Sequence, residues 1–281
     1  MTDTAWIEAN GVSLRYALEG RGRATCVLVH EMGASLESFD AVTAILRGRM
    51  RILRYDLRDS GLSERSRRRL TTELLVGDLD ALLSGLRVDE PVIVAGSALG
   101  AAVAVAFAQA RPERLAGLFM MAPALGLPED RQAAARARAD EVERNGLRPT
   151  ADQRLLTSYA PQMRSDMTRF EDVRLRRLAC DPLAISAYTR LLADLDLQQA
   201  LARIACPTIL LAGRHDQDRP PAVVEAIAAQ IPGAMFSIVE SGHFMSLQTP
   251  EIVADQLMTF AETIGVIACD RERSSSETGS A

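Results

Sequence analysis

The chain has 281 residues, 48% of them hydrophobic, which is enough for one large α/β domain with a buried core. Its formal net charge of −5 gives no reason to expect a nucleic-acid partner, and no apolar run reaches the length of a membrane span. The N-terminus lacks the basic and apolar regions of a signal peptide, so we expect a cytoplasmic protein. The four cysteines follow no metal or disulfide spacing, and we expect neither a metal nor an organic cofactor.

Strands alternate with helices along most of the chain. Residues 6–20 are typical of a β-hairpin with Asn10-Gly11 as its turn. The other elements are either short apolar runs, typical of strands buried on both faces, or segments with apolar residues at helical spacing. They predict strands at 24–30, 50–55, 91–97, 116–124, 206–213 and 234–241, and helices at 71–88, 98–111, 220–233 and 249–264. This alternation predicts a mainly parallel, doubly wound α/β sheet.

Residues 127–200 interrupt this alternation. They contain no buried-strand run and are rich in alanine, arginine and acidic residues at helical spacing, which predicts a helical insertion. The insertion follows the carboxyl end of a core strand, where ligands bind in open α/β sheets, so we interpret it as a cap with apolar side chains and at least one arginine facing inward. A surface flap is the alternative. The sequence therefore predicts a core of residues 1–126 and 201–268, a cap of residues 127–200 and a disordered tail of residues 269–281.

The segment from Val92 to Ala104 has the form of a nucleophile elbow without its nucleophile. A run of β-branched residues ends at Gly96 and small residues begin at Gly100, which suits a strand, a sharp turn and a closely packed helix. The centre of this frame is Ala98, whose methyl group cannot attack a substrate. Ser97 lies one position early, and the alternation of side chains along a strand points it away from the site.

The three histidines of the chain have different predicted roles. His243 follows the last predicted strand, and Asp216 follows the strand before it, which gives the chain order elbow, aspartate, histidine that this architecture requires. His30 ends an earlier strand, where we expect it to brace the loop that follows. His215 lies beside Asp216, and we expect it at the surface or behind the site.

With these motifs the chain resembles the α/β-hydrolase superfamily over about residues 5–265. Three segments, at 29–40, 54–64 and 94–124, resemble most the 3-oxoadipate enol-lactonase group, whose relatives include the meta-cleavage-product hydrolases. The resemblance implies a small-molecule substrate, namely a carboxylate-bearing ester, lactone or enol compound. From the charge and the absence of a long apolar run we expect no nucleic-acid or membrane partner, and a homodimer stays open.

The resemblance also implies roles for individual residues. Asp216 matches the triad acid and His243 the triad base, and the backbone N–H groups of Met32 and Leu99 match the oxyanion donors. Ala98 stands where the family has its serine.

Two residues beside these positions are candidates for the wall of the substrate pocket. Glu31 stands where the family commonly has glycine, and a carboxylate there would oppose the negative charge that an oxyanion hole stabilises. We therefore expect Glu31 to point to solvent or to cap the loop, with lining of the pocket as the alternative. Ser97 is the second such residue.

The missing serine has four explanations. Ser97 could be the nucleophile, although a shift by one residue would spoil the glycine spacing of the elbow. Ala98 could be an engineered Ser→Ala replacement that traps a substrate. It could instead be natural, with His243 and Asp216 acting as a general-base dyad in hydrolysis, decarboxylation, retro-aldol cleavage or cofactor-free oxygenation. Finally, the protein could be a non-enzymatic binder, although a binder has no chemical need for the pair. The trapping and dyad explanations both stay open, and we favour the natural alanine.

Overall fold

The computed structural model describes residues 3–268, which fold around one eight-stranded sheet. The predicted tail, residues 269–281, lies outside the described part of the chain. The strands are β1 (Ala5–Ala9), β2 (Val12–Gly20), β3 (Thr25–Val29), β4 (Arg51–Tyr55), β5 (Val92–Ser97), β6 (Leu115–Met121), β7 (Thr208–Gly213) and β8 (Met235–Val239). Their order across the sheet is β1-β2-β4-β3-β5-β6-β7-β8.

Parallel pairing dominates this sheet. The pairs β3–β4, β3–β5, β5–β6, β6–β7 and β7–β8 are parallel, whereas β1–β2 and β2–β4 are antiparallel. The β1–β2 hairpin turns at Asn10 and Gly11, whose φ values of 51° and 70° suit the tight turn that this residue pair favours. The sequence-based prediction of a mainly parallel, doubly wound sheet is confirmed.

Helices cover both faces of the sheet. The α-helices of the described chain are α1 (Asp40–Leu46), α2 (Thr72–Gly85), α3 (Leu99–Ala110), α4 (Glu129–Asn145), α5 (Arg148–Ser158), α6 (Met167–Leu178), α7 (Pro182–Asp194), α8 (Gln198–Leu201), α9 (Pro221–Ala228), α10 (Met245–Gln248) and α11 (Pro250–Thr263). Helices α1 and α11 pack on one face, and α2, α3 and α9 pack on the other. None of the helices in the described part of the chain is long and apolar enough to cross a membrane.

The central strands explain why the sheet is stable. Every residue of β3, β5 and β7 is buried, which accounts for their continuous apolar sequences. Each fully buried aliphatic side chain contributes about 1.5–3 kcal/mol to the free energy of unfolding. Since these strands run parallel, their carboxyl ends meet at one edge of the sheet, and the loops that follow them converge there.

Helices α4 to α8 lie between β6 and β7, where the sequence predicts an insertion. Helix α4 packs against α7, and Arg190 of α7 donates to Asp140 and Glu143 of α4 at 2.6 Å each. Helix α5 packs against α6, where the rings of Tyr159 and Phe170 meet edge to face at 5.1 Å between centroids. Five helices, and no strand of the sheet, therefore occupy this part of the described chain.

Candidate active site

Ala98 occupies a strained turn between β5 and α3. Its φ of 47° and ψ of −106° lie outside the regions that side-chain-bearing residues favour, at a cost of about 1–3 kcal/mol. Three hydrogen bonds fix this conformation: the Ala98 N–H donates to Met121 O at 2.9 Å, and Ala98 O accepts from the N–H groups of Ala101 and Ala124 at 3.1 Å each. The sharp turn of a nucleophile elbow is therefore present around a residue that has no nucleophile.

The glycines on either side make this turn sterically feasible. A Cβ at Gly96 would lie 2.4 Å from Gly100 O, and a Cβ at Gly100 would lie 2.1 Å from Val29 O. All of these contacts involve backbone atoms, which cannot move aside as a flexible side chain can. The small residues thus let α3 start directly against the ends of β3 and β5, as the elbow frame predicts.

The two residues predicted to supply oxyanion donors, Met32 and Leu99, line the same cavity. Leu99 is the first residue of α3, so its N–H has no carbonyl partner within the helix, and the helix dipole favours negative charge at that end. Met32 lies in the loop after β3, and both residues line one cavity with Ala98. His30 braces this loop: its Nε2 accepts from the Leu57 N–H at 3.0 Å, so its Nδ1 carries the proton and donates to Glu31 O at 2.8 Å.

His243 and Asp216 form the predicted pair. His243 Nδ1 lies 2.8 Å from Asp216 Oδ2, within the range for a base and the group that orients it. The other oxygen of Asp216 accepts from the backbone N–H groups of Asp218 and Arg219 at 2.8 and 2.9 Å, which fixes the carboxylate behind the ring. His243 lines the cavity with Ala98, whereas His215 pairs with Glu240 outside it. His243, Met32 and Leu99 therefore line the same cavity as Ala98, and Asp216 is hydrogen-bonded to the His243 ring.

The insertion supplies most of the remaining wall of this cavity, whose volume is about 280 Å³. Leu127 and Leu192 contribute apolar surface, and Ser158 and Thr189 contribute hydroxyl groups. We call the space bounded by Ala98, His243 and the insertion the reaction cavity.

Arginine dominates the charged lining of the reaction cavity. Burial lowers the pKa of the Arg138 and Arg177 guanidinium groups below their ordinary value, and the neighbouring positive charge of Arg154 lowers both further. Within residues 3–268, neither Arg138 nor Arg177 forms a side-chain hydrogen bond or ion pair. The sequence predicted that at least one cap arginine faces inward but did not identify which. The arginines that line the cavity are Arg131, Arg138, Arg154, Arg177 and Arg219.

Asp218 is a cavity residue that the sequence did not identify. It accepts a hydrogen bond from the Ser158 hydroxyl and forms an ion pair with Arg154 at 3.4 Å. Burial alone would raise the pKa of Asp218, but Arg154, His243 and the Ser158 hydroxyl together lower it below its ordinary value. Asp218 thus fastens α5 to the loop that carries Asp216.

The two candidate pocket residues, Glu31 and Ser97, have different positions. Glu31 is only 3% exposed and lines the reaction cavity, so the expectation that it points to solvent is wrong. Its Oε1 accepts from the Ser38 hydroxyl at 3.4 Å, which holds the side chain inward. Ser97 is buried at the end of β5 and is absent from the cavity wall, so it is not brought to the site. In residues 3–268 no group of three His, Cys, Asp or Glu side chains is arranged to hold a metal ion.

The chain belongs to the alpha/beta hydrolase family, whose family model matches residues 26–256. Among curated proteins it is similar to 3-oxoadipate enol-lactonase 2 of Acinetobacter baylyi, at 24% identity over 87% of this chain and 91% of that protein. Among solved structures it is similar to a malate-bound thermophilic esterase from Thermogutta terrifontis, at 25% identity, with a TM-score of 0.87 and coverage of 93% of this chain and 99% of that one. It is also similar to the enol-lactonase from Burkholderia xenovorans, at 22% identity, with a TM-score of 0.84 and coverage of 91% and 99%. The predicted resemblance to α/β hydrolases and enol-lactonases is confirmed.

Proposed function

We propose that the protein hydrolyses a small carboxylate-bearing ester, lactone or enol compound, with His243 and Asp216 acting as a general-base dyad. The observation that carries this proposal is the 2.8 Å contact between His243 and Asp216 in the wall of a cavity lined by arginines. A partly buried histidine held by a buried aspartate has no evident structural purpose at this position, whereas a general base needs this arrangement.

Without a serine, water is the nucleophile. A water molecule beside the Ala98 methyl group gives a proton to Nε2 of His243 while its oxygen attacks the carbonyl carbon of the substrate. The carbonyl oxygen becomes an oxyanion that accepts hydrogen bonds from the N–H groups of Met32 and Leu99. The bond to the leaving oxygen then breaks, and that oxygen takes the proton from the imidazolium, which leaves a carboxylic acid and an alcohol or enol. Asp216 orients the imidazole and stabilises its charged form.

The arginines support an anionic substrate. A guanidinium is always charged in proteins and binds carboxylates in a planar, bidentate way. Arg138 and Arg177 are free for this purpose, since no carboxylate of the described chain pairs with either. The names of the similar proteins, an enol-lactonase and an esterase, agree with an ester or lactone substrate. In this proposal the insertion acts as a cap that encloses the substrate and carries its carboxylate-binding groups.

The proposed function is tested by turnover of matched substrate pairs. Small lactones and esters with a free carboxylate should be hydrolysed with a higher kcat/KM than their methyl-ester or amide counterparts of equal size. Equal turnover of both members of each pair would contradict the anionic substrate, and the absence of turnover across the series would contradict the hydrolase.

A second candidate function is favoured by the backbone of Ala98. Its strained φ and ψ values place a side chain above the sheet edge, an arrangement that is useful to a serine and of no evident use to an alanine. In this candidate the protein is an ordinary serine hydrolase whose nucleophile is replaced. The variant Ala98→Ser should then show burst kinetics from an acyl-enzyme and a large gain in rate. A variant without burst or gain would exclude this candidate.

A further inference from the structure

A second cavity of about 450 Å³ adjoins the reaction cavity. Both cavities are lined by Glu31, Arg177 and Phe244, which therefore form the wall between them. The second cavity lies between the loops after β3 and β4, helix α6 of the insertion and helix α10. A molecule bound at Ala98 could extend past this shared wall into the second cavity.

Two buried polar atoms at the second cavity have no hydrogen-bond partner. Glu31 is 3% exposed and Ser246 is 1% exposed, yet Oε2 of Glu31 and the hydroxyl of Ser246 form no hydrogen bond within the described chain. Leaving a buried polar group unpaired costs about 1–3 kcal/mol, and more for a charged group. Such groups are satisfied by an ordered water or by a molecule that the protein binds.

Arg177 is the third unpartnered group. A Cβ at Gly33 would lie 3.0 Å from Arg177 Nη1, so the guanidinium rests against the loop that carries Glu31. No direct ion pair joins Arg177 to Glu31, although each charge acts on the other through space. The other charged side chains that line the second cavity are already engaged in ion pairs, among them Arg15 with Glu37 and Arg176 with Asp172.

The chemistry of these groups defines the ligand. An ionised carboxylate only accepts hydrogen bonds and a guanidinium only donates them, while a hydroxyl does both. A simple carboxylate would satisfy Arg177 but would be repelled by Glu31. A carboxylate with a hydrogen-bond donor beside it satisfies both groups at once.

We propose that the second cavity binds the non-reacting end of the substrate, and that this end carries a carboxylate with a hydroxyl or ammonium group next to it. The carboxylate binds Arg177, and the donor binds Glu31 with help from Ser246. This inference rests on the proposed function for the idea that the molecule is a substrate, but the binding itself requires no catalysis.

Calorimetric titration of the full chain with three four-carbon dicarboxylates tests the proposal. Succinate has no donor, malate has a hydroxyl and aspartate has an ammonium group. We expect at least one donor-bearing probe to bind about tenfold more tightly than succinate, the effect of one hydrogen bond to a charged group. The tighter of malate and aspartate identifies the donor. Equal affinity for all three, or no binding by any of them, would overturn the proposal.

Three variants locate the binding. Glu31→Gln removes the negative charge at nearly constant size, so the affinities for the donor-bearing probe and for succinate should then agree to within about twofold. Succinate should also bind this variant more tightly than the unmodified protein, because its repulsion by Glu31 is lost. Arg177→Gln should weaken all three probes about tenfold. Arg138→Gln is the matched control, because Arg138 lines the reaction cavity and not the second cavity. This variant should change the affinities for succinate, malate and aspartate by the same factor.

Binding in the second cavity would be contradicted if the preference for a donor-bearing probe over succinate survived in Glu31→Gln or disappeared in Arg138→Gln. Circular dichroism of each variant checks the fold, and the comparison of probes on the unmodified protein needs no variant. The proposed function and this inference can fail separately. Turnover of carboxylate-bearing lactones without any probe preference would reject only the inference, whereas probe preference without turnover would reject only the hydrolase.

Discussion

Replacing Gly100 by alanine should destabilise the protein, although alanine is the better helix former. The substitution lies in the first turn of α3, where alanine would gain about 0.5–1 kcal/mol over glycine. The new methyl group would lie 2.1 Å from Val29 O, 2.7 Å from Val29 C and 2.8 Å from His30 O. Overpacking of this kind costs about 1–3 kcal/mol, and backbone contacts put this site at the upper end of that range. We therefore expect a net loss of about 2 kcal/mol in the free energy of unfolding.

The assay is denaturant unfolding of Gly100→Ala beside Gly48→Ala. Gly48 is the matched control, because it is exposed, lies outside any helix and has nothing within 4 Å of the point where a Cβ would lie. Its replacement should be neutral or stabilising by about 0.4–1 kcal/mol, through the lower entropy of the unfolded chain. Gly100→Ala should also lower kcat, since a shift of His30 moves the loop that carries Met32. A Gly100→Ala protein as stable as the unmodified one would refute the reasoning about the elbow.

Three further predictions concern the reaction cavity. The pKa of Asp218 is lowered in the folded protein, so its contribution to stability is present above the ordinary value of 3.8 and is lost as pH falls through the folded pKa. In denaturant titrations the unmodified protein should therefore be more stable than Asp218→Asn at pH 7, and this difference should shrink below pH 3.8. Arg138→Gln should raise KM for carboxylate-bearing substrates and leave KM for neutral esters unchanged, and equal effects on both would contradict a carboxylate-binding role. Asp216→Asn keeps the size of the side chain but favours the wrong tautomer of His243, so kcat should fall by up to about 10⁴-fold with little change in unfolding free energy.

The elbow could be predicted from sequence because its constraints are local. Gly96 and Gly100 pack against each other and the adjacent strand, and neither position has room for a Cβ. The spacing of the two glycines in the sequence therefore indicates the turn directly. The Asn10-Gly11 turn is a similar case, since two consecutive positive φ values depend on the residues themselves. The positions of Asp216 and His243 followed from strand order, because parallel strands end at the same edge of a sheet.

The charged lining could not be predicted in the same way. All 32 basic residues of the chain are arginine, and helical periodicity shows which face of a helix is polar but not which polar face is turned toward a cavity. Arg138, Arg154 and Arg177 come from three different helices and meet only because the insertion folds over the sheet edge.

The prediction for Glu31 failed for a related reason. A carboxylate usually faces solvent because burial is costly, but here the Ser38 hydroxyl satisfies one oxygen and the other is buried without a partner. Ser97 does not line the cavity, since its side chain is buried at the end of β5.

The most direct test of the central claim is the rate at which the unmodified protein and His243→Ala hydrolyse the same carboxylate-bearing lactone. We predict a loss of about 10²–10⁴-fold in kcat, the contribution of a general base, with His215→Ala as a control that keeps full activity. Equal rates for the unmodified protein and His243→Ala, together with a large gain in Ala98→Ser, would contradict the dyad and assign the site to a serine hydrolase that lacks its serine.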